Sequence, residues 1–358
     1  MRVKLKDITK FSKGTQINGK NLIDDGAYSY LNGGINPSGK WNEFNVAENT
    51  VTISEGGNSS GYVNYMNEAF WCGAHCYYLY DGPKNSKYLY YALKSQQERL
   101  FRIRSGACMP NIKKSDLGNF IIEYEKDEVR QEEVVKVLEK CELLIEDYNK
   151  KLTLLDEAVR ARFVEMFGDL RINDKGWKYY KLDELTELIT DGEHATPKRT
   201  TQGIYLLSAR NVLNHQLSLE DVDFIDCDEF DRISRRIIPK EGDVLISCSG
   251  SIGRCCIVPK NIKFQMVRSI ALLRFKSNIN PVFAEYMITS DYLQDQINKS
   301  KTASSQANLF QGKIKSLKGV VPPLELQNQF ASFVQEIDKS RLLSNHLLFL
   351  IKSISSNH

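Results

Sequence analysis

No run of apolar residues in this 358-residue chain approaches the roughly 18–20 that a membrane span needs. The start, MRVKLKDITKF, has no long apolar stretch behind its basic residues and does not read as a secretory leader. Both absences point to a soluble, cytoplasmic protein. Charge of one sign is scarce too: 48 Lys and Arg against 45 Asp and Glu leave a net +3. That total is too small to argue nucleic-acid binding, although local patches matter more than the sum. Eight cysteines in a chain of this length are too sparse for a disulfide-stapled secreted domain. Cys72, His75 and Cys76 stand together in CGAHC, but a structural zinc site needs a second ligand pair, and only Cys108 follows nearby. No metal site is expected. These cysteines, and the pair Cys255-Cys256, read as small buried side chains of strand-rich stretches.

Catalytic signatures are missing as well. There is no [ND]-P-P-[YF] tetrapeptide of an amino-methyltransferase, the one double proline being VPPL. There is no Gly-rich cofactor loop between strand and helix, no H-E-x-x-H and no G-x-S-x-G. Five histidines are scattered along the chain. His194 lies beside Asp191 and Glu193 in a polar loop and reads as a solvated loop residue. GGINPSGKW (33–41) comes within one residue of a phosphate loop, but Trp41 replaces the Ser or Thr that would hold magnesium. A phosphate loop opens a helix, whereas the following WNEFNVAENTVTIS is strand-like and Asn36–Gly39 is a turn. No residue set here gives a reason to expect an enzyme.

What is present is a repeat. KLKDITKF (from Lys4) lies over KLDELTEL (from Lys181), and GAYSYLN (from Gly26) over GIYLLSA (from Gly203), both at an offset of 177. VTIS (from Val51) falls on VLIS (from Val244) at 193, KYLYYALKSQ on VFAEYMITSD at 195, and MPNI on QANL at 197. The order never breaks, and the offset grows mainly once, by a 16-residue insertion between Lys40 and Val244. At constant offset Leu217 stands under Lys40, so the second copy repeats no phosphate loop. Inside each copy the pattern predicts mixed α and β structure, rich in strands, with a strand–turn–strand at Glu241–Val258.

Each copy ends in a long helix. Val134, Leu138, Cys141, Ile145, Tyr148, Leu152, Leu155 and Val159 form a heptad seam with Glu and Lys dense elsewhere. At 1.5 Å per residue, Glu128 to Phe167 would span roughly 60 Å. The second seam, at offset 196 from Gln131 to Gln327, reads Phe330, Val334, Ile337, Arg341, Ser344, Leu348 and Ile351. Arg341 and Ser344 weaken its middle. A clean seam opposite an interrupted one predicts an intramolecular antiparallel pair, the alternative being two independent amphipathic helices lying on their own domains. The expected organisation is therefore a first domain over 1–125, a central long helix over 126–170, a second domain over 171–322 and a C-terminal helix over 323–358.

Two related units, each followed by a long helix and without catalytic motifs, resemble the specificity subunit of type I restriction–modification systems. The likeness is carried by KLDELTELITDG, GIYLLSARNV, EGDVLIS-CSGSIG, SSQANL and VVPPLELQNQF, and more loosely by KLKDITKFSKG, TVTISEGG and ACMPNI. The resemblance implies an α+β fold with two target-recognition domains, held apart by two long antiparallel helices in a coiled-coil-like spacer of pseudo-twofold symmetry. Each domain would read half of a bipartite site on double-stranded DNA. The helices would dock methyltransferase subunits, expected in two copies, and restriction and translocase subunits would join them. S-adenosylmethionine and ATP would sit on those partners, with no cofactor on this chain. The competing class is a helix-mediated scaffold without DNA recognition.

Base contacts are expected from polar side chains in loops between strands. In the first copy these are Lys13, Gln16, Asn18, Asn58, Ser59, Ser60, Arg102 and Arg104. In the second they are His194, Thr196, Lys198, Arg199, Arg210, Asn211, Arg254, Arg268, Lys301, Ser305 and Gln306. The base sequence they would select depends on loop geometry and is not derivable from residue type.

Overall fold

A computed structural model describes residues 1–106, 108–300 and 308–357. Contacts divide the chain into two compact units, Met1–Asn149 with Asn345–His358, and Lys150–Ser344.

The first unit holds a four-stranded antiparallel sheet in the order Lys10–Lys13, Cys76–Tyr80, Thr50–Ser54, Val63–Met66. Beside it is a three-stranded sheet in which Tyr28–Leu31 runs antiparallel to Gly39–Trp41 and parallel to Phe70–Cys72. Arg2–Lys4 pairs with Ile121–Glu123, so the unit's two ends are clasped together. Helices Ser86–Lys94, Gln97–Arg102 and Lys114–Gly118 complete it.

The second unit has the same topology. Thr186–Asp191, Ile270–Phe275, Val244–Ser247 and Cys255–Ile257 form the antiparallel sheet. Ile204–Leu207 lies antiparallel to Asp223–Ile225 and parallel to Phe264–Met266. Tyr179–Lys181 pairs with Lys318–Val320. The fold is thus α+β with one module built twice. The strand–turn–strand expected from Glu241 to Val258 is the hairpin in which Val244 faces Ile257.

Side-chain alternation explains the second unit's core. Val244, Ile246, Cys255, Ala271 and Leu273 face one apolar cluster, while Leu245, Cys256, Ile270 and Leu272 face another. A strand buried on both faces loses its polar positions, so these stretches read as near-continuous apolar runs. The adjacent cysteines of Cys255-Cys256 are split between the two faces. Cys72 and Cys76 are buried in the first unit, and the Cys72 sulfur lies 3.4 Å from the Cys76 carbonyl oxygen.

The insertion in the second copy differs from the single block expected. It is divided around the strand Asp223–Ile225: a hairpin, Val212–Leu213 with Gln216–Leu217, precedes it, and the helix Cys227–Ser234 follows. Ser29 pairs with Lys40 and Leu206 with Asp223, so Asp223, not Leu217, is the structural counterpart of Lys40. Lys40 itself lies in a strand with no helix behind it.

The long helices span Glu128–Phe167 and Leu324–Asn357. Early in the first helix Val135, Leu138 and Val134 pack on Tyr88, Tyr90 and Tyr91. Here Val135 is buried and Val134 half-buried, one position off the expected seam. A straight 3.6-residue helix drifts against a strict seven-residue repeat, and the domain surface at this end selects the neighbouring face. Cys141 is buried and Ile145 and Tyr148 are half-buried.

Within the second unit, Leu152 and Leu155 are half-buried, Val159, Phe330 and Val334 are buried, and Ile337 is half-buried. Phe330 meets Phe163 and Phe167 with ring centroids 5.4 and 5.5 Å apart, while Arg341 reaches back to Asp156 at 2.6 Å. Residue numbers rise along one helix as they fall along the other, so these segments run antiparallel. The seam's interruption is thereby accounted for: Arg341 is paired with Asp156 and Asp338, and the Ser344 hydroxyl donates to the Ser340 carbonyl. Farther along, Leu348 is buried and Ile351 half-buried. Both helix starts are tied by a buried glutamine. Gln131 donates to Glu125 O at 2.7 Å, and Gln327 donates to Pro322 O at 2.8 Å and accepts from Asn280 N. Among the described residues no helix is long and apolar enough to cross a membrane.

Candidate nucleic-acid interface

One end of each four-stranded sheet gathers the loops that carry the candidate residues, and a glycine fixes its geometry. After Thr186–Asp191 the chain crosses the end of the neighbouring sheet at Gly192. Gly192 N donates to Ile270 O at 3.1 Å, and Glu193 N donates to Met266 O at 2.8 Å. The first unit repeats this at Gly14, where Thr15 N donates to Cys72 O at 2.9 Å. A Cβ at Gly14 would lie 1.9 Å from the Cys72 carbonyl oxygen, and one at Gly192 2.3 Å from that of Met266. The crossing is too close for any side chain.

Three further segments meet at this end. Hairpin turns follow Ser54 and Ser247. Short links at 73–75 and 267–269 join the two sheets. Asn111 and Asn308 bridge onto the hairpins, to Gly56 and Ser249 respectively. Ile112 N and Leu309 N donate to Glu55 O and Cys248 O, both at 2.9 Å, while their side chains are buried.

In the first unit this end brings together Lys13, Asn58, Ser59 and Arg104. The Lys13 ammonium contacts Glu55 at 2.8 Å, and His75, on the link, faces the same carboxylate at 3.5 Å. Arg104 donates to the carbonyls of Phe101 and Asn58 at 2.7 and 3.2 Å. Ser59 donates to Gly33 O. Gln16 and Asn18 are exposed on the loop behind the crossing, Asn18 capping a short turn through Lys20 N. Arg102 is exposed at the end of Gln97–Arg102. Ser60, expected as a base contact, is instead fully buried, and its hydroxyl donates to Glu55 O at 2.8 Å. Glu55 and His75 also stand at this end; His75 directly precedes an inward-facing cysteine, while no local pattern marks Glu55.

In the second unit the loop behind Gly192 is held by ion pairs. His194 lies 2.6 Å from Asp191, and Arg236 contacts the other oxygen of Asp191 at 2.6 Å. Burial pushes the Asp191 carboxyl up, but hydrogen bonds from His194 and Arg236 outweigh it and hold the group below the usual carboxylate range. Arg232 makes two bonds to Glu229, whose Oε1 also accepts from Lys198 N at 3.1 Å. Arg199 and Arg210 both reach Asp223, at 3.1 and 3.3 Å. Thr196, Lys198 and Arg268 are exposed, and Arg254 is half-buried at the end of its hairpin. Asn211, also expected as a base contact, is likewise turned inward. It is fully buried, its Oδ1 accepts from Ser208 N, and its amide donates to Ser218 O and Glu220 O. Lys301, Ser305 and Gln306 lie outside the described residues. Arg232 and Arg236 join this end from the inserted helix, and their local sign in the sequence is the basic cluster that closes that helix.

Both surfaces present amides, hydroxyls and cations on loops whose backbones are fixed by hydrogen bonds. That equipment suits polar recognition at short range. The sequence model described as "Type I restriction modification DNA specificity domain" matches residues 1–155 and again 174–352, one match to each copy of the module. The chain belongs to this family.

A protein of Mycoplasma pneumoniae named as a type I specificity subunit is 32% identical over 209 residues, 51% of this chain and 56% of the relative. A counterpart in Mycoplasma genitalium is 32% identical over 201 residues, 49% and 52% of the two chains. The chain spans about half the length of the curated relatives it matches. The crystal structure of a type I restriction–modification S subunit from M. genitalium superposes with a TM-score of 0.66 at 19% identity, covering 100% of this chain and 94% of that one. A chain from a study of type I complex assembly gives 0.54 at 14% identity, covering 100% and 95%. These likenesses establish the shared fold of the specificity family.

Proposed function

We propose that this chain is the non-catalytic, sequence-reading subunit of a type I restriction–modification complex. Each module reads one half of a bipartite site on double-stranded DNA. The long helices carry the methyltransferase subunits, two per chain, and restriction and translocase subunits join through them. S-adenosylmethionine and ATP belong to those partners. The observation that carries this reading is the duplication itself. The same glycine crossing, hairpin and link recur in both modules, with different polar residues on each. Two reading heads with unlike loops suit a target with two unlike halves.

The test is a methylation map. The chain is expressed with its neighbouring methyltransferase in a methylation-free host and the modified bases are sequenced. A split motif, two short blocks around an unspecified spacer, is expected. No modification, with the methyltransferase folded and bound, would favour a helix-mediated scaffold.

A further inference from the structure

Resting on that DNA-recognition reading, we propose that Arg268 is a specificity-determining residue of the second module, reading a guanine through its major-groove edge. Four arginines around this loop end differ from Arg268. Arg199, Arg210, Arg232 and Arg236 are each committed to a carboxylate, at distances from 2.6 to 3.3 Å. Those guanidiniums spend their donors on holding the loops, and their charge is locally cancelled. Arg268 is exposed, and among the described residues its guanidinium has no hydrogen-bond or ion-pair partner.

The backbone beneath Arg268 is unusually well fixed for an exposed link. Val267 N donates to Leu207 O at 3.0 Å, Arg268 N to Glu193 O at 3.0 Å, and Ile270 N to Val267 O at 3.0 Å. Ser269 accepts on both sides: its carbonyl from Cys248 N at 2.8 Å and its hydroxyl from Ala209 N at 3.0 Å. The residue therefore stands where the crossing loop, the hairpin and both sheets converge. A reading residue needs such a base, because affinity and selectivity fall when the supporting shell leaves the side chain loose. An unpaired guanidinium is the side chain whose planar fork matches O6 and N7 of guanine. In the first module the equivalent link position is Ala74, so this device belongs to the second module alone.

The experiment is selection of bound duplexes from a random-sequence library by the full chain, alone and with its methyltransferase, for wild type, Arg268→Ala and Arg268→Lys. Wild type should enrich a motif with a fixed guanine in one block. Arg268→Ala should bind that duplex about 5-fold to 150-fold more weakly, the range for one good bidentate base contact, and lose preference at that position while keeping the rest of the motif. Arg268→Lys should recover affinity more than selectivity, because it keeps the charge and loses the fork. Unchanged thermal unfolding of Arg268→Ala would show that the exposed site was altered without damage to the fold. If wild type enriches a motif and Arg268→Ala enriches the same one equally, the assignment of Arg268 is overturned while DNA recognition stands. If wild type enriches nothing in either setting, the recognition reading itself fails.

Discussion

Gly192→Ala should unfold the second unit early, although it adds one methyl group at a residue with ordinary backbone angles. Gly192 is not among the residues with positive φ, so glycine is required there for space and not for conformational freedom. A Cβ would meet Met266 O at 2.3 Å, Val267 O at 2.5 Å and Met266 C at 2.6 Å. All three are backbone atoms, so no side-chain rotation relieves the overlap. The strand must move off its neighbour, and three bonds depend on that closeness: Gly192 N to Ile270 O, Glu193 N to Met266 O, and Arg268 N to Glu193 O. At about 1 kcal/mol net for each bond, the loss is about 3 kcal/mol. For a domain of 150–250 residues that corresponds to a fall in Tm of roughly 6–12 °C.

Trp177 reports on this unit, its indole donating to Phe167 O at 2.8 Å, while Trp41 and Trp71 belong to the other unit. Unfolding is followed by fluorescence in a W41F/W71F background. Gly312→Ala supplies the control, since a Cβ there has nothing within 4 Å and the residue lies in the helix Gln311–Ser316. That change should be neutral or slightly stabilising. A Gly192→Ala protein within about 0.5 kcal/mol of its parent would refute the crossing as a steric requirement.

Three further outcomes are expected. Phe330→Ala removes a fully buried ring that touches Phe163, Phe167 and Tyr286, and should cost about 3–5 kcal/mol in urea unfolding; a loss below about 1 kcal/mol would show that the helix start is not anchored there. Burial pushes the Glu285 carboxyl up more than its His215 contact at 3.4 Å pulls it down. Its folded value then exceeds the unfolded one, so its stabilising contribution is complete below the usual carboxylate range and is lost as pH rises through the raised value. Glu285→Gln should flatten that decline in urea midpoints as pH rises above the usual carboxylate range, and an unchanged slope would disprove the assignment. Asn211→Ala should destabilise the inserted hairpin by about 1–3 kcal/mol while leaving the selected DNA motif unaltered, because its amide is spent on the backbone; an altered motif in a stable variant would restore it as a base contact.

The duplication was legible because the paired strands constrain sequence tightly. VTIS and VLIS occupy the same interior ladder position, and Gln131 and Gln327 tie equivalent helix starts. The C-terminal seam was legible down to its polar members, since Arg341 and Ser344 do turn inward. What stayed hidden was set by tertiary partners. Residue type marks Ser60 and Asn211 as surface polar groups, yet backbone atoms consume both. Arg236 stands 45 residues from the Asp191 it pairs with, and no local pattern announces such a pair. The insertion could be counted but not located, because a fixed offset cannot show that a strand of the common module interrupts it.

The residue before each crossing glycine changes sign between the modules. Lys13 precedes Gly14 and Asp191 precedes Gly192, so one structural position holds a cation in one module and an anion in the other. Each is compensated where it stands: Lys13 by Glu55 on its hairpin, Asp191 by Arg236 beyond the inserted helix and by His194 on its own loop. The fold therefore tolerates either sign at this point, provided a partner is supplied. Core positions at the same level allow no such exchange; the strands beside the crossing keep Cys72 and Met266 buried and place their carbonyls for the same hydrogen bond. Freedom of charge on one side of the glycine and fixity on the other is the arrangement expected of a scaffold that holds its backbone constant and varies the surface it presents. Exchanging Glu55 or Arg236 alone should therefore lower the urea midpoint more than exchanging the whole pair, since what the crossing requires is local neutrality; equal midpoints would refute it.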